Sequence, residues 1–208
     1  GSEMCIRDSV NYVEGIYVGY KFYETAAAEG LIDYDKTVVY PFGRGLSYTT
    51  FTQTLNSVTE ADGTITVDVT VTNTGSASGK EVVEVYYNPP YTNGGIEKAS
   101  ANLIGFAKTS ELAPGASENV TVTFKAEDMA SYDTYGKGCY VLEKGDYVIS
   151  INADSHTVLD SKVYNVASDI VYDASNKRES DVEVADNKFD FAEGNVTYLS
   201  LSLIHISE

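Results

Sequence analysis

Tryptophan is absent from this 208-residue chain, proline occurs four times, and cysteine and histidine occur twice each. So few soft ligands cannot supply the repeated Cys/His spacing of a zinc site. No glycine-rich phosphate loop is present either, so no cofactor and no metal are expected. Basic residues are scarce, 14 against 31 acidic ones, for a net charge of −17. Nucleic-acid binding needs clustered Lys and Arg and is excluded as a reading. Attraction to an anionic membrane surface is excluded on the same ground. No apolar run approaches the ~18 residues that span a bilayer. What is present is a 43% hydrophobic content and seventeen tyrosines, with many Thr and Val, which favours β structure. The chain is long enough for one or two domains with a sizeable core.

The two ends read differently from the rest. Residues 2–9 are SEMCIRDS and residues 201–208 are LSLIHISE. Back-translating the first as TCG GAG ATG TGT ATA AGA GAC AG gives a reverse complement that translates as LSLIHIS followed by Glu or Asp. One short DNA element read on opposite strands accounts for both, and it looks like a transposon-end adapter of sequencing libraries. Residues 1–9 and 201–208 are therefore set aside as adapter-like. The expectation is an internal stretch cut at both ends. Cys139 and His156 are then the native cysteine and histidine, and the net charge becomes −15 once Arg7, Glu3, Asp8 and Glu208 are removed. A single cysteine makes no intrachain disulfide and does not identify the compartment.

Between the ends the periodicity changes twice. In residues 11–30, Ile16, Tyr20, Tyr23 and Ala27 fall at helical spacing, and Gly30 is a stop signal, predicting a helix from about Ile16 to Glu29. Residues 31–47 are connection. Within YPFGRGLSYTTF, Pro41 fixes its own φ and holds Tyr40 extended, while Gly43 and Gly45 permit positive φ or close approach. From Tyr48 the period becomes two. Thr64–Gly75 alternates Ile65, Val67, Val69 and Val71 against polar residues. Further strands are predicted over Glu81–Pro90, over Ala101–Leu112 with a break at Gly105, and after the Pro114–Gly115 turn. Two more flank Glu143–Asp146, and a last one runs over Thr157–Val166. About seven turn-marked strands imply an antiparallel β-sandwich, residues 48–166, preceded by a short helical part, residues 10–47. Residues 167–200 read as a polar linker that regains aromatics at its end.

Three stretches together carry a family resemblance. EGIYVGYKFYE and VVYPFGRGLSYTTF resemble the end of the second, α/β-sandwich domain of glycoside hydrolase family 3 and its exit joint. ANLIGFAKTSELAPGASENVTVTFKAEDMASYD with LEKGDYVISINADS resembles the fibronectin type III-like domain that follows it. NKFDFAEGNVTYLS looks like the entry to the barrel domain of members with swapped domain order. The resemblance implies an immunoglobulin-like β-sandwich within a retaining glycosidase, acting on β-linked glucosides or related glycosides. Such an enzyme uses a carboxylate nucleophile and a carboxylic acid/base. The family places these in the barrel and upstream in the α/β domain, and neither motif is in this chain. It implies no catalytic residue here, and a bracing role between the parent's catalytic domains. The joint residues Tyr40, Pro41, Phe42, Gly43, Gly45, Tyr48 and Phe51 would do that bracing, with the four rings burying against both neighbours. Arg44 is expected to pair with a carboxylate. Two other readings are a carbohydrate-binding sandwich, taking β-glycan or oligosaccharide, and a structural or adhesion sandwich.

Individual candidates are each weighed against a plainer role. Glu14, in the EGIYVGYK match, is a sugar-contact candidate or a buttress at a domain contact. Tyr86, Tyr87 and Tyr91 are read as exposed rings that can stack on a sugar. Asp33 and Asp35 read as a solvated loop before a ligand site, and Asp128 as a cap after a strand. Asp154-Ser155-His156 holds the residue types of a hydrolase triad. Triads assemble in space, so adjacency reads as a hairpin turn. Cys139 reads as a small apolar core residue. Asn119-Val120-Thr121 and Asn195-Val196-Thr197 are glycosylation sequons that do not by themselves establish secretion.

Overall fold

The computed structural model describes residues 15–184 and 197–204, with no side-chain description for the last two. Helix α1 (Tyr20–Ala28) and the single turn α2 (Tyr34–Thr37) precede ten strands. These are β1 (Phe51–Ala61), β2 (Thr64–Asn73), β3 (Val82–Asn88), β4 (Asn102–Lys108), β5 (Ser117–Lys125), β6 (Ser131–Tyr132), β7 (Tyr140–Leu142), β8 (Gly145–Asn152), β9 (Val158–Val166) and β10 (Ile170–Tyr172). A 3-10 turn, Ala126–Met129, follows β5, and α3 (Leu201–Ile204) closes the described residues.

Every pairing within the sheets is antiparallel. One sheet runs β1-β2-β5 and a second runs β4-β3-β8-β9. A small third sheet, β10-β7-β6, closes one end. Along β2 the alternation read from sequence is the burial pattern itself. Ile65, Val67, Val69 and Val71 are fully buried and the residues between them are half-exposed. Across the sandwich they meet Val83, Val85, Tyr147, Ile149 and Ile151. Full burial of one such side chain contributes about 1.5–3 kcal/mol. Asp128 accepts the Lys125 N–H at 3.1 Å and caps the turn after β5. Cys139 is buried, which pushes its thiol pKa up.

Several elements differ from the sequence reading. β1 has a polar pattern too weak to stand out, and its register against β2 shifts between Leu55 and Ser57. Gly105 does not break β4. A Cβ there would lie 2.7 Å from Val122 Cγ1, so glycine lets the edge strands of the two sheets approach. The pairing also continues beyond Val166, because β10 lies in the expected linker and buries Tyr172. Three residues are too few to show a period. Helix α1 begins only at Tyr20, after Gly19 at φ 56°, and Ile16 and Tyr23 are exposed rather than on its buried side. At its other end, Gly30 and Leu31 return their N–H groups to the carbonyls of Ala27 and Ala26.

β9 is an edge strand with almost every side chain exposed. Its register against β8 slips between Ile151 and Asn152. Its Asp160 carboxylate takes the Ser161 N–H at 2.8 Å, and Lys162 Nζ donates to the Asn56 carbonyl of β1 at 2.6 Å.

Candidate functional site

A polar cluster lies where α1, α2, the joint and the β8–β9 turn meet. Glu24 sits on α1 and is 7% exposed. Its Oε1 accepts from the Tyr34 hydroxyl at 2.6 Å and from Ser155 Oγ at 2.7 Å. Its Oε2 lies 2.8 Å from His156 Nδ1, which carries the proton because a carboxylate only accepts. The His156 ring lies on Tyr34 at 3.6 Å between centroids and 5° between planes. Burial and the bond to Glu24 both push the Tyr34 phenol pKa upward, burial more. Ser155 N–H also donates to the Phe42 carbonyl at 2.8 Å.

The turn that presents these donors is held by Asp154, whose Oδ1 accepts the N–H groups of His156 and Thr157 at 3.1 and 2.7 Å. Asp154, Ser155 and His156 are therefore a turn, and no proton relay runs from His156 to Ser155, since Glu24 stands between them. The clasp was missed in the sequence because Glu24 and His156 are 132 positions apart.

A second knot holds the end of the joint. Asn73 is fully buried at the end of β2. Its Oδ1 accepts from Thr49 Oγ1 at 2.8 Å and from Gly75 N–H at 3.0 Å. Its Nδ2 donates to the carbonyls of Ala77 and Leu112, each at 2.8 Å.

The joint residues themselves divide. Phe42 stacks on Tyr20 with centroids 4.4 Å apart, and Tyr20 meets Tyr86 edge-on. Phe51 packs against the main core. Gly43 has φ 84°, and a Cβ there would fall 2.3 Å from Glu84 Oε2, so this glycine is required twice over. Gly45 needs neither property: its φ is not in the positive range and the space around it is open. Pro41 is half-buried. Tyr40 (75% exposed) and Tyr48, fully exposed, do not bury against either neighbour within the described residues. Leu46 is 95% exposed beside them. Arg44 lies 5.6 Å over the Tyr40 ring, and no carboxylate pairs with it among the described residues.

The proposed sugar-stacking rings are also placed differently. Tyr86 is 1% exposed, its hydroxyl donating to Glu84 Oε2 at 2.9 Å, because Tyr20 covers it. Tyr87 packs on the core, and burial pushes its pKa up to about 12. Tyr91 is half-buried against Tyr17, Ala99 and Leu201, with its hydroxyl 3.1 Å from Ser202 Oγ. None presents a free ring. Leu201 and Ser202 belong to the stretch read as adapter-like. Glu14, Asn195 and most of the barrel-entry stretch lie outside the described residues. Asp33 pairs with Lys36 on the surface at 2.6 Å, and Asp35 is exposed. Among the described residues no three His, Cys, Asp or Glu side chains are grouped to hold a metal ion.

Glu84, beneath Gly43, has its carboxyl pKa raised, mainly by burial and partly offset by the Tyr86 bond. A raised carboxyl pKa favours the protonated group in the folded state. Its contribution to stability is full below the unfolded carboxylate range and declines as pH rises through the folded pKa. Replacing Glu84 with Gln removes that decline. The melting temperature of E84Q is expected to gain on the parent as pH rises above the ordinary carboxylate range and to equal it in more acidic buffer. A pH series of thermal melts checks this.

Residues 81–155 match the fibronectin type III-like domain family. The chain is 42% identical over 158 residues to beta-glucosidase A of Butyrivibrio fibrisolvens, covering 67% of this chain and 18% of that protein. It is 38% identical over 152 residues to a beta-glucosidase of Ruminococcus albus, covering 71% and 15%. Among solved structures, beta-glucosidase 3B of Thermotoga neapolitana with α-D-glucose superposes with a TM-score of 0.64 at 35% identity, over 76% of this chain and 20% of that one. A beta-glucosidase of Paenibacillus barengoltzii gives 0.67 at 38%, over 77% and 18%. These matches fit a partial length of a glycoside hydrolase family 3 beta-glucosidase. The chain spans less than a fifth of the length of the curated beta-glucosidases named here. Its fold is a β-sandwich preceded by a short helical part, and residues 81–155 of it match the fibronectin type III-like family.

Proposed function

We propose that this stretch braces the catalytic domains of a family 3 beta-glucosidase and supplies no reacting group itself. The observation that carries this reading is the Glu24 clasp. It ties the helical segment, the joint and the sandwich at one buried carboxylate. The same bonds argue against catalysis by Glu24, because both of its oxygens are occupied by donors from within the chain. A proton donor to a glycosidic oxygen needs a carboxyl free to face it.

The exposed side chains of the joint support the other half of the role. Val39, Tyr40, Leu46 and Tyr48 form a run of large apolar groups in water, of the kind that marks an interface. In the proposed parent they pack on the remaining domains, which are the partners of this stretch. The two catalytic carboxylates, borne elsewhere, then stay in register. A misplacement of about 1 Å at a reacting centre costs on the order of a hundredfold in rate.

The test is deletion of the sandwich, Thr52–Val166, from a full-length enzyme carrying it. The expected result is loss of most hydrolysis of a β-glucoside together with a lower melting temperature. Retention of both activity and thermal stability would overturn the role.

A further inference from the structure

The outward face of the β1-β2-β5 sheet is built almost wholly from hydroxyl and amide side chains. The register sets them in rows across the strands: Thr52–Thr72–Ser117, Thr54–Thr70–Asn119 and Thr59–Thr66–Thr123. A fourth row pairs Asp68 with Thr121 beside Asn56. Neighbouring rows on one strand are about 6.7 Å apart and neighbouring strands about 4.8 Å. Asp68 is the one charge in these rows, on a chain of net charge −17. No other described element covers the face, whose residues are exposed or half-exposed.

The side chains fall into two sets. One set locks the surface. Asn56 Nδ2 donates to Asp68 Oδ1 at 2.6 Å and to Thr70 Oγ1 at 2.8 Å, and Thr70 donates to Asn119 Oδ1 at 2.8 Å. Thr72 and Ser117 share a bond of 2.7 Å. The other set, including Thr54, Thr66, Thr121 and Thr123, makes no side-chain hydrogen bond with other described residues and leaves its hydroxyls to the outside.

We propose that this face binds a neutral, hydroxyl-rich polysaccharide laid across the three strands. Hydroxyl and amide groups both donate and accept, which matches a surface of sugar hydroxyls. The one cation in register with this face, Lys125 opposite Thr64, is paired with Glu179 at 3.2 Å, and the acidic chain repels an anionic polymer. Each bond alone contributes little against water, so a single sugar is not held. A polymer crossing several rows sums many such bonds, and the locked set means that little side-chain freedom is lost. This surface is separate from the Glu24 clasp and from Tyr86, Tyr87 and Tyr91.

Choosing a β-glucan as first probe rests on the beta-glucosidase reading, whereas the face does not. The whole chain is mixed with insoluble cellulose or insoluble starch, and the protein left in solution is measured. Depletion by cellulose is expected, with free glucose a poor competitor. A variant carrying Thr54→Val, Thr66→Val and Thr121→Val keeps its melting temperature, because those hydroxyls hold nothing internal, and binds about tenfold more weakly. If that variant fails to fold, Thr121→Lys places a charge and bulk at the same spot and is expected to abolish depletion. Absence of depletion by either polymer overturns the proposal, as does unchanged binding by the folded Val variant or by Thr121→Lys. Binding to starch alone leaves the face standing and overturns only the choice of a β-glucan as its ligand.

Discussion

Replacing Glu24 with Ala is expected to release the helical segment from the sandwich while leaving the sandwich folded. The change removes the acceptor of three donors at once, and the Tyr34 and Ser155 hydroxyls lose their partner in a dry setting. Breaking a buried charged network from one side costs about 3–5 kcal/mol. At about 1.4 kcal/mol per factor of ten, amide protection in Thr25–Leu31 is expected to fall by about two to nearly four orders of magnitude. Protection of β2, which depends on the apolar core, is expected to stay as in the parent. Hydrogen exchange read peptide by peptide separates the two regions. A uniform loss across both would show that the clasp holds the whole fold, and no loss in either would show that it holds nothing. Glu24→Gln is the milder comparison, since an amide has one accepting oxygen and adds two donors that meet donors.

Asn73→Ala is expected to give the largest global loss. Its side chain bonds Thr49, Gly75, Ala77 and Leu112 from a position with no exposure. Alanine leaves the Ala77 carbonyl and the Thr49 hydroxyl without that partner, while the Leu112 carbonyl keeps the Gly79 N–H and the Gly75 N–H keeps the Thr50 carbonyl. At about 1–2 kcal/mol for each of these two groups, a total of about 2–4 kcal/mol is expected. For a sandwich of this size that lowers the melting temperature by about 10–20 °C. Thr49→Val removes one donor of the same knot and is expected to cost about 1 kcal/mol. Calorimetry of the two variants checks both the size and the ratio of the effects.

These two centres were the least legible parts of the sequence, for different reasons. The sandwich was legible because strand periodicity is local. Ile65 to Val71 declare their inward face within eight residues, and the pairing follows. β1 was not, because only Leu55 of its inward positions is deeply buried, so the alternation is faint. Asn73 stands in TNTG, where an asparagine reads as the end of a strand, and nothing nearby tells that its amide is turned inward to four partners. The clasp depends on a pairing across 132 positions, which no local pattern encodes. Asp154-Ser155-His156 reads correctly as a turn, yet two of its side chains serve Glu24.

In the joint, Pro41 and Gly43 were legible as a redirection of the chain. The four rings were less so, since apolarity states that a side chain avoids water but not which body shields it. Phe51 finds shelter against the core, and Phe42 covers one face on Tyr20 while staying 47% exposed. Tyr40 and Tyr48 find no such shelter.

The edge formed by β9 bears on how the chain behaves in concentrated solution. An open edge is a template on which a neighbouring molecule can lay a further strand. Here the slipped register after Ile151, the aspartate that occupies the Ser161 N–H, and the lysine reaching across to Asn56 each interrupt that template. Strand-to-strand polymerisation along this side is thus opposed by local chemistry, independently of the repulsion between acidic molecules.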